Sequence, residues 1–190
     1  FTTINVVGDS AVVINNLTSD VDLEFEETNL GAVTLDYTAD ATGSFEFASA
    51  SAVEATSLAV TDAQTFTITA TGGSDTLKSF SGTVTLDATD TDTVTVKTGA
   101  NDTPLELDGA FAADNATSLT VTTSHTDSHI TFGSSTIATA DLLETVTVSA
   151  GGGGSTADDS DITVGAIGAT AAAAALSTIT ITDADGADVT

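Results

Sequence analysis

ATSLAVTD (Ala55 to Asp62) and TFTITA (Thr65 to Ala70) decide the reading of this chain. In each, two apolar residues flank one small polar residue, Leu58/Val60 in the first and Phe66/Ile68 in the second. Strict alternation of this kind describes a strand with one apolar face, and Thr is the polar residue best suited to the pleat. The other face is then a ladder of hydroxyls.

Working outward, the same two-beat unit recurs along the whole sequence. First beats fall at Ile4/Val6, Val33/Leu35, Leu58/Val60, Val84/Leu86, Leu119/Val121, Val146/Val148 and Ile179/Ile181. Second beats follow at Val12/Ile14, Phe45/Phe47, Phe66/Ile68, Val94/Val96, Ile130/Phe132 and Ile162/Val164. Successive first beats lie 29, 25, 26, 35, 27 and 33 residues apart. A loose period of this length belongs to stacked repeats, each of which needs a neighbour to cover its apolar face. The fold expected is all-β, a parallel β-solenoid of irregular 25–35-residue repeats forming one elongated domain over residues 1–190. Short strands at 8–12-residue spacing also describe an antiparallel β-sandwich, one or two in tandem, and that alternative stays open.

Turn-rich spacers such as TGGSD (Thr71 to Asp75), DATDTD (Asp87 to Asp92) and SAGGGGSTADDSD (Ser149 to Asp161) read as corners or loops. Ala-rich stretches ahead of several strands, SAVEATSL, GAFAADNATSL, TIATADLLETV and GATAAAAALST, read as helical turns. VDLEFEE (Val21 to Glu27) adds a strand that interrupts the rhythm near the beginning. With aromatics at 5% and no Trp or Met, the core is expected to consist of Val, Ile, Leu, Ala and Thr methyls.

Charge narrows the function. Twenty-eight acidic residues stand against Lys78 and Lys97, giving a formal net charge of -26. Such a chain repels nucleic acid and anionic lipid, and its copies repel one another unless cations screen them. Without Cys there is no disulfide framework and no thiolate metal site, so calcium is the expected staple. No segment approaches the ~20 apolar residues that span a bilayer as a helix. A chain starting at Phe1 reads as a processed product or a fragment of something longer.

The segments ATSLAVTD, ATSLTVTT (Ala116 to Thr123), LLETVTVS (Leu142 to Ser149) and LSTITITD (Leu176 to Asp183) resemble secreted bacterial surface-layer proteins and large adhesins with calcium-bearing β-solenoid repeats. The resemblance implies an extracellular, cell-surface subunit that assembles with itself into a lattice or filament, with cell-surface polysaccharide as a further partner. It also implies a stalk segment of an adhesin as the second reading.

Candidate ligands for a hard cation are carboxylates close in sequence beside a sharp turn. DADGAD supplies Asp183, Asp185 and Asp188 around Gly186; Asp87, Asp90 and Asp92 form a second cluster; Asp158, Asp159 and Asp161 form a third; and Asp75 follows a Gly-Gly-Ser turn. His125 and His129 flank Asp127 but have no evident third ligand for a transition metal. The pair Glu26/Glu27 could in principle serve a glycosidase, yet Tyr37 is the only Tyr available as a sugar platform. With no nucleophile elbow, no phosphate-cradling loop and no Arg, the chain is expected not to be an enzyme.

Overall fold

The computed structural model describes residues 3–8, 10–19, 21–26, 29–73, 76–86, 92–113, 115–123, 126–133, 136–138, 142–151, 160–164, 166–167, 176–183 and 187–190. Within them lie seventeen strands and no helix. Every strand pairing is parallel, so the chain is a β-solenoid and the antiparallel sandwich is excluded.

Each coil visits three columns of strands. The first column holds the beginning of β5 (Val53–Ala70), then β6 (Lys78–Phe80), β9 (Leu105–Leu107), β12 (Ile130–Phe132) and β15 (Ile162–Thr163). The second holds β2 (Val12–Leu17), the middle of β4 (Asn29–Phe47) and of β5, then β7 (Val84–Leu86), β10 (Phe111–Ala113), β13 (Thr136–Ala138) and β16 (Ala166–Ile167). The third begins with β1 (Thr3–Val6), β3 (Asp22–Phe25) and the ends of β4 and β5. It continues through β8 (Thr93–Thr98), β11 (Ser118–Thr123), β14 (Thr145–Ala150) and β17 (Thr178–Asp183). Strands β4 and β5 run through all three columns, turning between the second and third at Asp40 and Asp62, whose φ of 64° and 60° lies in the left-handed region that Asp tolerates.

The register sorts out the beats read from sequence. Asn5, Glu24, Glu46, Thr69, Lys97, Thr122, Ser149 and Thr182 stand one above another, so successive coils take 19, 22, 23, 28, 25, 27 and 33 residues. The stretch Val21 to Glu27 therefore does not interrupt the array; its strand is a rung of the third column in a shorter coil. The 35-residue gap between Val84 and Leu119 is a change of column. Val84 belongs to the second, whereas Leu119 stacks on Val94 in the third.

Among the described residues, three of the Ala-rich stretches contribute strands rather than helical turns. Val53 to Leu58 lies inside β5, and Phe111–Ala113 and Thr136–Ala138 are rungs of the second column. A turn of helix nucleates poorly by itself, whereas a rung gains ladder hydrogen bonds to both neighbours, and tertiary pairing overrides the helical preference of Ala. The last of these stretches, around Ala171 to Ala175, lies outside the described residues.

Inward-pointing residues form one continuous core from Leu17 to Ala187. Its largest members are Phe, contrary to the expectation from composition. Phe25, Phe45, Phe47, Phe66, Phe80 and Phe111 are fully buried. Phe25 stacks on Phe45 with ring centroids 4.3 Å apart, and Phe80 lies 5.1 Å from Phe45 and 4.9 Å from Phe47. Few aromatics suffice because each buries a large area and the rings pack on one another. Gly43 is required beneath them: a Cβ there would lie 2.6 Å from the Tyr37 ring and 2.8 Å from the Phe66 ring.

Candidate functional site

The sequence-predicted ligands divide into those the structure brings together and those it keeps apart. Asp75, Asp87, Asp90, Asp158, Asp159, Asp185, His125 and Glu27 lie outside the described residues. Asp183 and Asp92 are exposed and belong to different corners. Asp92 serves the fold, since its carbonyl accepts the backbone N–H of Thr117 at 2.9 Å and of Ser118 at 3.0 Å. Glu26 is exposed, and Tyr37, the one residue considered as a sugar platform, is buried.

One corner, ahead of the first column, gathers residues from three separate sequence clusters. His129, Asp161 and Asp188 occupy equivalent positions in successive coils: Ile130 N–H bonds the Asp161 carbonyl and Ile162 N–H bonds the Asp188 carbonyl. The Asp188 N–H also donates to Asp161 Oδ1 at 3.1 Å. Asp161 N–H donates to His129 Nδ1 at 3.2 Å, which leaves the ring proton on Nε2, 3.0 Å from Asp127 Oδ1. Both ring nitrogens are thus engaged within the fold. Among the described residues no group of three or more His, Asp or Glu side chains converges as a metal site.

Behind this corner runs a buried polar spine that alternation alone does not reveal. Thr103, Ser128 and Ser160 are fully buried. Thr103 Oγ1 donates to the Asn101 carbonyl at 3.0 Å, and Ser128 Oγ donates to the Ala100 carbonyl at 2.8 Å. Ser160 Oγ accepts the Ser128 N–H at 3.2 Å. Small hydroxyls here satisfy backbone groups that the turn leaves unpaired. Their work is structural.

Two further buried polar groups punctuate the core. Lys78 is fully buried in the first column, and its ammonium donates to the Thr76 carbonyl at 2.8 Å and to Thr76 Oγ1 at 2.7 Å. Burial pushes its pKa down from the ordinary value of 10.5. The Tyr37 hydroxyl donates to the Ser44 carbonyl at 3.2 Å and accepts the Ser44 N–H at 3.1 Å. Burial pushes it up to about 12, against the opposing effect of the Ser44 hydrogen bond. Among the described residues, neither side chain lines a pocket. A depression of about 350 Å³ on the third column, lined by Val21, Ser44, Glu46, Thr67 and Lys97 among others, is shallow and open.

The most regular surface is the outer side of the third column. Thr65, Thr93, Ser118, Thr145 and Thr178 form one file; Thr67, Thr95, Thr120, Thr147 and Thr180 a second; Thr69, Lys97, Thr122, Ser149 and Thr182 a third. The alternation of Thr in the sequence points to such a face, but only the register aligns its files.

Comparison with known proteins found no family model, no curated relative and no solved structure that matches the chain. Among the described residues no helix is long and apolar enough to cross a membrane.

Proposed function

We propose that this chain is a structural rod of an extracellular surface layer or filament, built to stack end to end with further copies of itself, and that it carries out no catalysis. The observation that carries this reading is the state of the last rung. Ile179 and Ile181 stand in register above Val146 and Val148, which are buried, yet they are themselves 60% and 63% exposed. At the opposite end the inward-facing Ile4, Val6, Val12 and Ile14 are only partly buried. An apolar rung uncovered on one side is a template for another parallel strand, whether of further chain or of a second copy, and joining copies by two unlike ends generates an open filament.

The net charge of -26 opposes this contact. Calcium is the counterweight proposed, with the sequence cluster Asp183, Asp185 and Asp188 as its first ligands and Asp87, Asp90, Asp92 and Asp75 as further ones. Oxygen-only ligands and repeated carboxylates suit a hard divalent cation. The location outside the cell and a polysaccharide partner follow from the surface-layer resemblance and belong to the same proposal.

Sedimentation velocity over a concentration series, with calcium and then with excess chelator, tests the reading. Growth into polymers with calcium, reversed by chelator, is the expected result. A monomer at every concentration would make the chain a stalk element of an adhesin, and growth indifferent to chelator would remove calcium from the account.

A further inference from the structure

The outer face of the third column presents fifteen positions in five rungs and three files, and fourteen of them are Thr or Ser. Residues along a parallel strand rise about 3.3 Å each and neighbouring strands lie about 4.7–4.9 Å apart, so the hydroxyls repeat at roughly 6.6 Å by 4.8 Å. The result is a two-dimensional lattice of hydroxyl-bearing side chains.

Two independent observations indicate what this lattice meets. The first concerns hydrogen bonds. Corner threonines use their hydroxyls within the fold, as Thr61 does on Asp36 at 2.8 Å and Thr71 on Glu46 at 2.6 Å. None of the fourteen hydroxyls on the face has such a bond to another described residue. Among the described residues, then, fourteen hydroxyls in register have no partner within the fold.

The second concerns charge. In a chain with 28 acidic residues, no carboxylate lies among the fifteen positions and Lys97 is the one charged residue there; the carboxylates of the third file stand on the rungs below, at Glu46 and Glu24. Absence of charge removes groups whose own tightly held hydration would compete with an ordered water lattice. It also leaves nothing to grip a charged polymer, while the acidic remainder of the molecule repels a second copy laid against this face.

We infer that the hydroxyl face of residues 65–69, 93–97, 118–122, 145–149 and 178–182 binds the surface of ice. An ice face is a neutral lattice of oxygen atoms whose two repeats are comparable with those of the hydroxyl files. Waters held in the grooves between Thr methyls and hydrogen-bonded to the hydroxyls would be ordered over many sites at once, so that weak individual bonds add along the lattice. This inference is independent of end-to-end assembly.

The test is partition into ice grown slowly from a dilute solution of the fluorescently labelled chain. The unmodified chain and Thr85→Lys, a change on the exposed side of the second column, are expected to be enriched in the ice. Thr120→Lys, at the centre of the lattice, is expected to lower that enrichment by about tenfold or more. Thr120→Val, which keeps the shape and removes only the hydroxyl, is expected to lower it less, and circular dichroism of each variant controls for folding. Rejection of the unmodified chain by ice, or equal uptake of folded Thr120→Lys, would overturn the inference. So would a dimer that dissociates in Thr120→Lys while no form enters ice, because the face would then belong to a second copy.

Discussion

Lys78 turns its ammonium back onto Thr76, two residues earlier, donating to both its carbonyl and its hydroxyl from within the core. Its neighbours in the first column are Val53 below and Leu105 above. A cation in this position is desolvated, and among the described residues it forms no salt bridge. Lys78→Met keeps the length and flexibility of the side chain while removing the charge. It is expected to stabilise the fold by about 1–3 kcal/mol in urea denaturation. A loss of stability would mean that the two bonds to Thr76 outweigh the desolvation.

The same burial gives stability a pH dependence of defined sign. Because the folded state lowers the Lys78 pKa, the unfolded chain holds the extra proton between that lowered value and 10.5. Stability therefore rises with pH through that window and levels off above it. The urea midpoint of the unmodified chain should climb toward that of Lys78→Met as pH rises from the lowered Lys78 pKa toward the ordinary 10.5. Tyr37, pushed up to about 12, stays protonated throughout. Parallel pH profiles for the two chains would contradict the assignment.

The aromatic part of the core is the thickest and least forgiving. Phe45→Ala removes a ring that contacts Phe25, Phe47 and Phe80 and is expected to cost about 3–5 kcal/mol. Gly43→Val forces new atoms against the Tyr37 and Phe66 rings and is expected to cost about 1–3 kcal/mol. Thermal melting of both variants measures these effects. A Gly43→Val chain as stable as the original would show that the rings can move aside.

Alternation was enough to read the strands of the third column, because six-residue runs such as Thr93–Thr98 and Thr145–Ala150 bury every second residue. It failed at the second column from Phe111 onward. Three-residue rungs such as Phe111–Ala113 are too short to express a period, and their Ala content points locally to helix. The corner of Asp127, His129, Asp161 and Asp188 was legible only as three unrelated clusters, since residues up to 32 apart meet through coil length, which no local pattern fixes. Lys78 entered the sequence reading as a charge to be counted. Its place beside Phe80, on the same inward side of a three-residue strand, became evident only from the register.

Fibre diffraction from concentrated protein in calcium tests the central claim, that solenoids of this chain continue one another end to end, more directly than any other measurement. Stacked coils place every strand across the filament axis, so oriented filaments should give a meridional reflection at about 4.8 Å. Ile181→Lys, on the last rung, should abolish both the filaments and the reflection. Filaments that persist in folded Ile181→Lys, or a 4.8 Å reflection perpendicular to the axis, would contradict end-to-end stacking.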